Sequence, residues 1–294
     1  MHKAGFVNIV GNPNVGKSTL MNSLVGERIS IITSKAQTTR HRIMGIVNTE
    51  DMQIVYSDTP GVLKPNYKLQ ESMLNFSESA LVDADVLLYV TDVVEKFDKH
   101  LEFLTKVQKM TIPVLLVINK IDLTDQAGLE KLVAQWKEVL PNAEIIPLSA
   151  KENFNVEYLL RRIKELMPES PAFFDKDALT DKPARFFVTE IVREKILQTY
   201  DKEIPYAVEV AVEQFKEMEE RIDIMVVIYV ERDSQKGIII GKQGSALKRV
   251  GTEARKDIEA FFQKKVFLQL YVKVEKDWRS KERVLKSFGY NQDK

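Results

Sequence analysis

A chain of 294 residues, 44% hydrophobic and 29% charged, has the profile of a soluble globular protein of about two domains. It contains no cysteine and three histidines, which excludes disulfides, thiolate metal sites and cysteine nucleophiles and argues against a zinc centre. Net charge is zero overall, but residues 1–182 sum to −3, 183–231 to −5 and 232–290 to +8, so basic charge gathers late in the chain, as a footprint for nucleic acid or another anionic surface would.

The opening MHKAGFVNIVGNPNVGKS has too short an apolar run for a signal peptide. No stretch reaches the roughly 20 apolar residues of a membrane span. FVNIVG (6–11) predicts a strand, a glycine loop follows, and KSTLMNSLVG predicts a helix. RIMGIVN (42–48) and MQIVYSDTPG (52–61) predict further strands. ADVLLYVTD (84–92), IPVLLVINK (112–120) and AEIIPLSA (143–150) are near-continuous apolar runs, as strands buried on both faces require. Helices are expected between them at 70–82, 99–110, 128–140 and 156–167. The alternation predicts a mostly parallel sheet wrapped by helices. Three prolines and several acids in PESPAFFDKDALTDKPAR (168–185) mark a linker, placing a first domain at 1–170, the linker at 171–184 and a second, α+β domain at 185–294. In that domain a helix from Arg185, strands at 207–215 and 222–230, a short helix, a GKQG loop, a longer helix, a strand VFLQLYVKV and a helical tail near 280–288 follow in order.

Gly11-Asn12-Pro13-Asn14-Val15-Gly16-Lys17-Ser18 matches G-x-x-x-x-G-K-[ST] between a strand and a helix, and Thr19 continues it. Backbone N–H groups there cradle phosphates at a helix N-terminus. Lys17 is placed to reach the β- and γ-phosphates and Ser18 to bind magnesium. Asp58-Thr59-Pro60-Gly61 ends a later strand, with Asp58 toward magnesium and the Gly61 N–H toward the γ-phosphate. Asn119-Lys120-Ile121-Asp122 ends another. A carboxylate at Asp122 accepts both guanine donors, Asn119 ties the loops together and the Lys120 stem covers the base. A site built around those donors rejects adenine by leaving buried groups unpaired. Ser149-Ala150-Lys151 ends one more strand, with the Ala150 N–H toward the guanine carbonyl. Each short motif alone is weak; four in order, each at the C-terminal end of a strand, are specific, because ligands of open α/β sheets bind at that edge.

This set resembles the translation-factor-type small GTPases, and GNPNVGKS and SKAQTTRHRIMGI (34–46) are similar to the phosphate loop and first switch of the Era family of ribosome-assembly GTPases. The resemblance implies a magnesium ligand at Thr38 or Thr39, which the sequence does not choose between. Lys17, Asp58 and Thr39 are expected to serve catalysis with Asn14, whose counterpart in potassium-dependent relatives binds K+. Val62 stands where Ras-like GTPases place the glutamine that orients water, so slow intrinsic turnover is expected.

The late loop, Gly241-Lys242-Gln243-Gly244, sits between two helices inside the +8 segment, with no Walker-type Lys-Ser/Thr step and no strand leading into it. The element order resembles a type II KH domain, a clamp for about four single-stranded nucleotides. Gly237, Ile239, Ile240 and Leu247 are expected to form its apolar groove, Lys242, Lys248 and Arg249 its charge, and Trp278 and Arg279 to stack on or pair with RNA, with packing of Trp278 in the domain core as the alternative. A GTPase domain joined to such a domain is the Era architecture. It implies GTP and GDP with Mg2+, binding of 16S ribosomal RNA near its 3′ end, assistance to 30S assembly, a monomer, and a cytoplasmic protein with a peripheral fraction at the inner membrane face. Two other readings are an adaptor that holds GTP without turning it over, and a GTPase whose basic surface meets lipid or protein.

Overall fold

The computed structural model describes residues 2–95 and 101–290, with the Leu101 side chain outside that description. Contacts divide the chain into two compact units: residues 1–32, 39–66 and 70–181 form the first, and residues 33–38, 67–69 and 182–294 the second.

The first unit is a six-stranded sheet: β1 (Lys3–Gly11), β2 (Ile43–Asn48), β3 (Met52–Asp58), β4 (Val86–Asp92), β5 (Val114–Asn119) and β6 (Glu144–Pro147), in the spatial order β2-β3-β1-β4-β5-β6. The β2–β3 pair is antiparallel and the other pairs are parallel. The three near-continuous apolar runs become β4, β5 and β6; every residue of β4 is buried, but β6 is an edge strand in which only Ile146 is buried, so burial on both faces does not extend to it. Helices α1 (Lys17–Val25), α2 (Lys68–Val82), α3 (Leu101–Gln108), α4 (Gln126–Val139) and α5 (Val156–Leu166) join the strands. On α5, Val156, Leu159 and Ile163 make one buried stripe at helical spacing. One sheet face packs Val10, Leu87, Tyr89, Leu116 and Ile118 against Ala80, Phe103, Leu104, Val107 and Trp136 of α2, α3 and α4. Burying each Val, Leu, Ile or Phe side chain among them contributes about 1.5–3 kcal/mol.

Two expectations need adjustment. The helix expected over 99–110 begins outside the described residues in part, and α3 ends at Gln108, after which the N–H groups of Lys109 and Met110 bond three residues back in turns. The proline-rich stretch expected to be a linker is fastened along β2 and β3. Thr180 bridges Gly45, the Met44 N–H donates to Asp181 at 2.8 Å, and the buried Gln53 side chain accepts from Phe173 (2.7 Å) and Phe174 (3.0 Å) and donates to the Phe174 carbonyl (2.8 Å). A buried amide must find such partners, and the prolines break helix and strand without freeing the chain.

The second unit contains α6 (Ala184–Thr199), α7 (Ile204–Ala207), β7 (Glu209–Glu217), β8 (Arg221–Val230), α8 (Asp233–Ile240), α9 (Ser245–Phe262), β9 (Lys265–Val274) and α10 (Glu282–Ser287). The strands lie in the order β7-β8-β9, β7–β8 antiparallel and β8–β9 parallel. A parallel pair needs a crossover, and α8, the GKQG turn and α9 supply it. Val188, Val192 and Ile196 of α6 and Val250, Ala254 and Ile258 of α9 are stripes at intervals of four that close over Ile222, Ile224, Val226 and Ile228 of β8.

Candidate active site and nucleic-acid interface

The phosphate loop closes on itself before any ligand is considered. Gly16 stands at φ +94°, and a Cβ there would lie 2.2 Å from the Asn119 amide nitrogen, so only glycine fits between the loop and that side chain. The Asn119 amide donates to the Val15 carbonyl at 2.8 Å. Lys17, 6% exposed, directs its ammonium to the carbonyls of Gly11 (3.0 Å) and Asn12 (2.9 Å). Burial pulls this ammonium down to about 8, and the charges of Asp58 and Glu95 offset part of the fall. The N-cap of α1 is Gly16, which has no side chain to cap the helix's first N–H groups. Asn14 is exposed at φ +65°, and Pro13 and Thr19 are half-buried beside it.

Asp58, fully buried at the end of β3, is held by hydroxyls. Ser18 Oγ donates to its Oδ2 at 2.6 Å, Thr39 Oγ1 at 3.3 Å, and the two hydroxyl oxygens are 2.9 Å apart. Among the described residues its buried Oδ1 has no partner in hydrogen-bonding geometry, and the buried Ser30 hydroxyl, which also lowers the carboxyl, stands near it without reaching that geometry. Desolvation raises this carboxyl above the ordinary range, against the hydroxyls and Lys17 that lower it. Two hydroxyls and a carboxylate oxygen in want of a partner are the hard-oxygen donor set that suits Mg2+. Thr38 is elsewhere: its hydroxyl bonds Thr33 Oγ1 (2.6 Å) and the Lys35 carbonyl (2.6 Å). The geometry therefore favours Thr39. Thr59 fixes its loop to β1 through the Ile9 carbonyl (2.7 Å), and Gly61, next to the buried Pro60, lies against Pro13 of the phosphate loop. The Val62 N–H donates to the Gly11 carbonyl at 3.1 Å, while the Val62 side chain, 3% exposed, belongs to the core.

At the base end, Asn119 Oδ1 accepts from the N–H of Lys120 (2.8 Å) and of Ala150 (3.0 Å). The Ala150 N–H is thus turned to Asn119, where the sequence suggested guanine. Asp122 is exposed and accepts from the buried Ser149 hydroxyl at 2.6 Å, Ile121 beginning the turn that carries it. Lys151 is exposed and paired with Glu152.

In the second unit the GKQG turn joins α8 to α9 through residues with positive φ. Gly241 adopts φ 72°, ψ 178°, and a Cβ there would meet the Ala246 Cβ at 2.6 Å. Gln243 and Gly244 also have positive φ, and α9 starts without a side-chain cap. Gly237, Lys242, Gln243, Lys248 and Arg249 are exposed, with Ile240, Gly244 and Leu247 half-buried around them. Ile239 departs from the sequence expectation, and Trp278 takes the core packing given as its alternative. Ile239 is fully buried, in register with Gln235 one turn earlier on the inward face of α8; the exposed isoleucine is Ile238, at 49%. Trp278 is 0% exposed and donates its indole N–H to the Ala207 carbonyl at 2.9 Å, so it packs in the core and presents no face to RNA. Arg279 is partly buried in an ion pair with Glu231. Helical spacing could have found Ile238, because Gln235 and Ile239 four apart leave it facing out.

Fold and site together define a P-loop GTPase carrying a KH domain. The model of the 50S ribosome-binding GTPase family matches residues 6–120 and that of the KH domain matches 203–279. GTPase Era of Staphylococcus haemolyticus (strain JCSC1435) is 44% identical over 294 residues, covering 99% of this chain and 98% of its own. A crystal structure of Era in complex with MgGDPNP and nucleotides 1506–1542 of 16S ribosomal RNA superposes with a TM-score of 0.94, 37% identity and 99% coverage of both chains. A crystal structure of a single-substitution variant of Aquifex aeolicus Era bound to GDP·AlF4− gives 0.93 at 37% identity, covering 98% of this chain and 99% of that one. The chain belongs to the Era family, and it is a GTPase, converting GTP and water to GDP and phosphate.

Proposed function

We propose that this GTPase is a GTP-driven RNA-binding switch that takes 16S ribosomal RNA near its 3′ end and assists 30S assembly as a monomer in the cytoplasm. The observation that carries the reading is the full-length likeness, at a TM-score of 0.94, to an Era that holds MgGDPNP and 16S nucleotides together. Residues 1–170 form the GTPase part, 171–184 the connecting stretch and 185–294 the KH part with its tail. A peripheral fraction at the inner membrane face belongs to the same reading; among the described residues no helix is long and apolar enough to cross a membrane.

The loop 11–19 cradles the phosphates, with Lys17 on the β- and γ-oxygens. Ser18, Thr39 and Asp58 hold Mg2+, which when bound neutralises charge shared by the β- and γ-phosphates. Asp58 to Gly61 faces the γ-phosphate, and residues 119–122 and 149–151 read guanine. The core position of Val62 leaves no side chain there to orient water, so unaided turnover is slow, and Asn14 is the candidate K+ ligand. On the RNA side, Gly241, Lys242, Gln243 and Gly244 grip the backbone, Ile238, Ile240 and Leu247 offer apolar surface, and Lys248 and Arg249 supply charge. RNA crosslinking with sequencing in GTP-analogue and GDP states tests the reading. Crosslinks to 16S 3′-end nucleotides at the GKQG turn, stronger in one nucleotide state, are expected; no RNA at that turn in either state sinks it. Comparing turnover in K+ and Na+, with and without Asn14→Ala, tests the cation; equal rates throughout remove it.

A further inference from the structure

The last residue of β4, Asp92, is 5% exposed and splits its carboxylate between two tasks. Oδ1 accepts from the backbone N–H of Val94 (2.9 Å) and of Glu95 (2.8 Å). Oδ2 lies 2.6 Å from the ammonium of Lys120. That ammonium donates in turn to the Asn14 carbonyl in the phosphate loop, also at 2.6 Å. Lys120 and Asn14 are both non-glycine residues in the left-handed region, at φ 61° and 65°, a conformation such residues keep only where their surroundings hold them. The other hand of the brace reaches the same loop: Glu95, oriented by Asp92, accepts from the Asn12 side chain through Oε1 and from Thr91 Oγ1 at 2.9 Å through Oε2.

We infer that Asp92 is a positioning residue for nucleotide binding. It fixes the Lys120 stem over the base position and, through that ammonium, fixes the phosphate loop at Asn14, so that base and phosphate sites are set by one buried carboxylate. The physical reason is the ammonium's need. A lysine chain on a loop has rotamer freedom to lose, and a carbonyl acceptor alone is a weak hold; a nearly buried carboxylate makes the bond charge-assisted and the geometry single. A strand end rather than a loop supplies the carboxylate, so it does not drift. The inference rests on the assignment of Lys120 to the base site, and the test separates the two.

The test is release of methylanthraniloyl-GDP, followed by stopped-flow fluorescence, on the full chain carrying Asp92→Asn, Lys120→Met or both. Asparagine keeps an oxygen for the Val94 and Glu95 N–H groups but turns an amide donor toward the ammonium. Asp92→Asn is expected to speed release about tenfold, the order for losing a charge-assisted hydrogen bond, with KM for GTP raised and kcat at saturation kept. Lys120→Met is expected to do the same, and adding Asp92→Asn to it to change nothing further. Unchanged release in Asp92→Asn beside faster release in Lys120→Met overturns the role of Asp92 alone. Unchanged release in Lys120→Met overturns the assignment of Lys120 as well. Multiplying effects in the double variant overturn the coupling, and a lowered melting temperature with unchanged release reduces Asp92 to a structural residue.

Discussion

Ser18 Oγ donates to Asp58 Oδ2 at 2.6 Å, which joins the first turn of α1 to the end of β3 across a fully buried carboxylate. Among the described residues the second carboxylate oxygen has no partner in hydrogen-bonding geometry. An arrangement that desolvates a carboxylate and leaves half of it wanting is costly in the free protein and is suited to a cation. Asp58→Asn removes that charge without changing shape. Its expected outcome is a fall in kcat for GTP of about 10²–10³, the order for losing a preorganised charge contact, with the Mg2+ requirement moved to higher concentration. The melting temperature of the nucleotide-free protein is expected to hold or rise. Single-turnover hydrolysis across a magnesium titration, beside a thermal melt, checks it; wild-type turnover at low Mg2+ would contradict it.

Val62 is 3% exposed and belongs to the same buried cluster as Val10, Ala80 and Phe103. Placing glutamine there, as Ras-like enzymes do, does not create a water-orienting group, because the side chain faces the core and not the phosphate loop. Val62→Gln is expected to lose about 1–3 kcal/mol of stability by burying an amide without a partner, with GTP turnover at 25 °C no faster than wild type. Denaturant unfolding and steady-state phosphate release measure the two effects. A severalfold acceleration would show that the side chain can swing toward the nucleotide.

The GKQG turn and Trp278 separate clamp from core. Lys242 is exposed, so Lys242→Asp is expected to leave the melting temperature within about a degree or two and weaken binding of a single-stranded RNA by about tenfold, since charge on the phosphate backbone dominates such affinity. Trp278→Ala removes a fully buried indole and its bond to Ala207. It is expected to cost about 3–5 kcal/mol, with RNA affinity lost only in proportion to the unfolded fraction. Fluorescence anisotropy with a labelled 16S 3′-end oligonucleotide, set against melting curves, distinguishes them; a stable Trp278→Ala protein with lost RNA binding would restore a direct contact.

The phosphate loop, β4 and β5 were legible because their chemistry is local: glycines where only glycine fits, and apolar runs where both faces are covered. What escaped depends on direction. Thr38 and Thr39 are equal as letters, and only the path of the backbone turns Thr39 to Ser18 and Asp58. Ile238 and Ile239 differ by about 100° around one helix turn, which an unbroken apolar run hides. Residues 171–184 read as a linker because of the prolines and acids in and around them, while a residue that fastens Phe173 and Phe174, Gln53, lies more than a hundred positions earlier inside β3. Asp92 looked like the polar end of a strand, and its role needs Lys120 and Asn14 beside it in space.

With no phosphate bound, burial pulls the Lys17 ammonium from its ordinary 10.5 down to about 8. The unfolded chain holds that proton up to about 10.5, so below about 8 the folded protein bears the full cost of a buried charge. As pH rises from about 8 toward 10.5 the folded state sheds the proton first, and this group's penalty on stability declines. Nucleotide binding has the opposite sign. The phosphates need the ammonium, so the complex holds the proton to higher pH, and above about 8 capture must take up a proton from solution. GDP affinity in EDTA, where the lysine is read without the metal, is therefore expected to be level from about pH 6.5 to about 7.5 and to fall above about 8, approaching tenfold per pH unit. Calorimetric titration of GDP in two buffers of different ionisation heat measures both the affinity and the proton uptake. Constant affinity with no proton uptake through about pH 9.5 would place the Lys17 ammonium in a wetter setting than its burial among the Gly11 and Asn12 carbonyls describes.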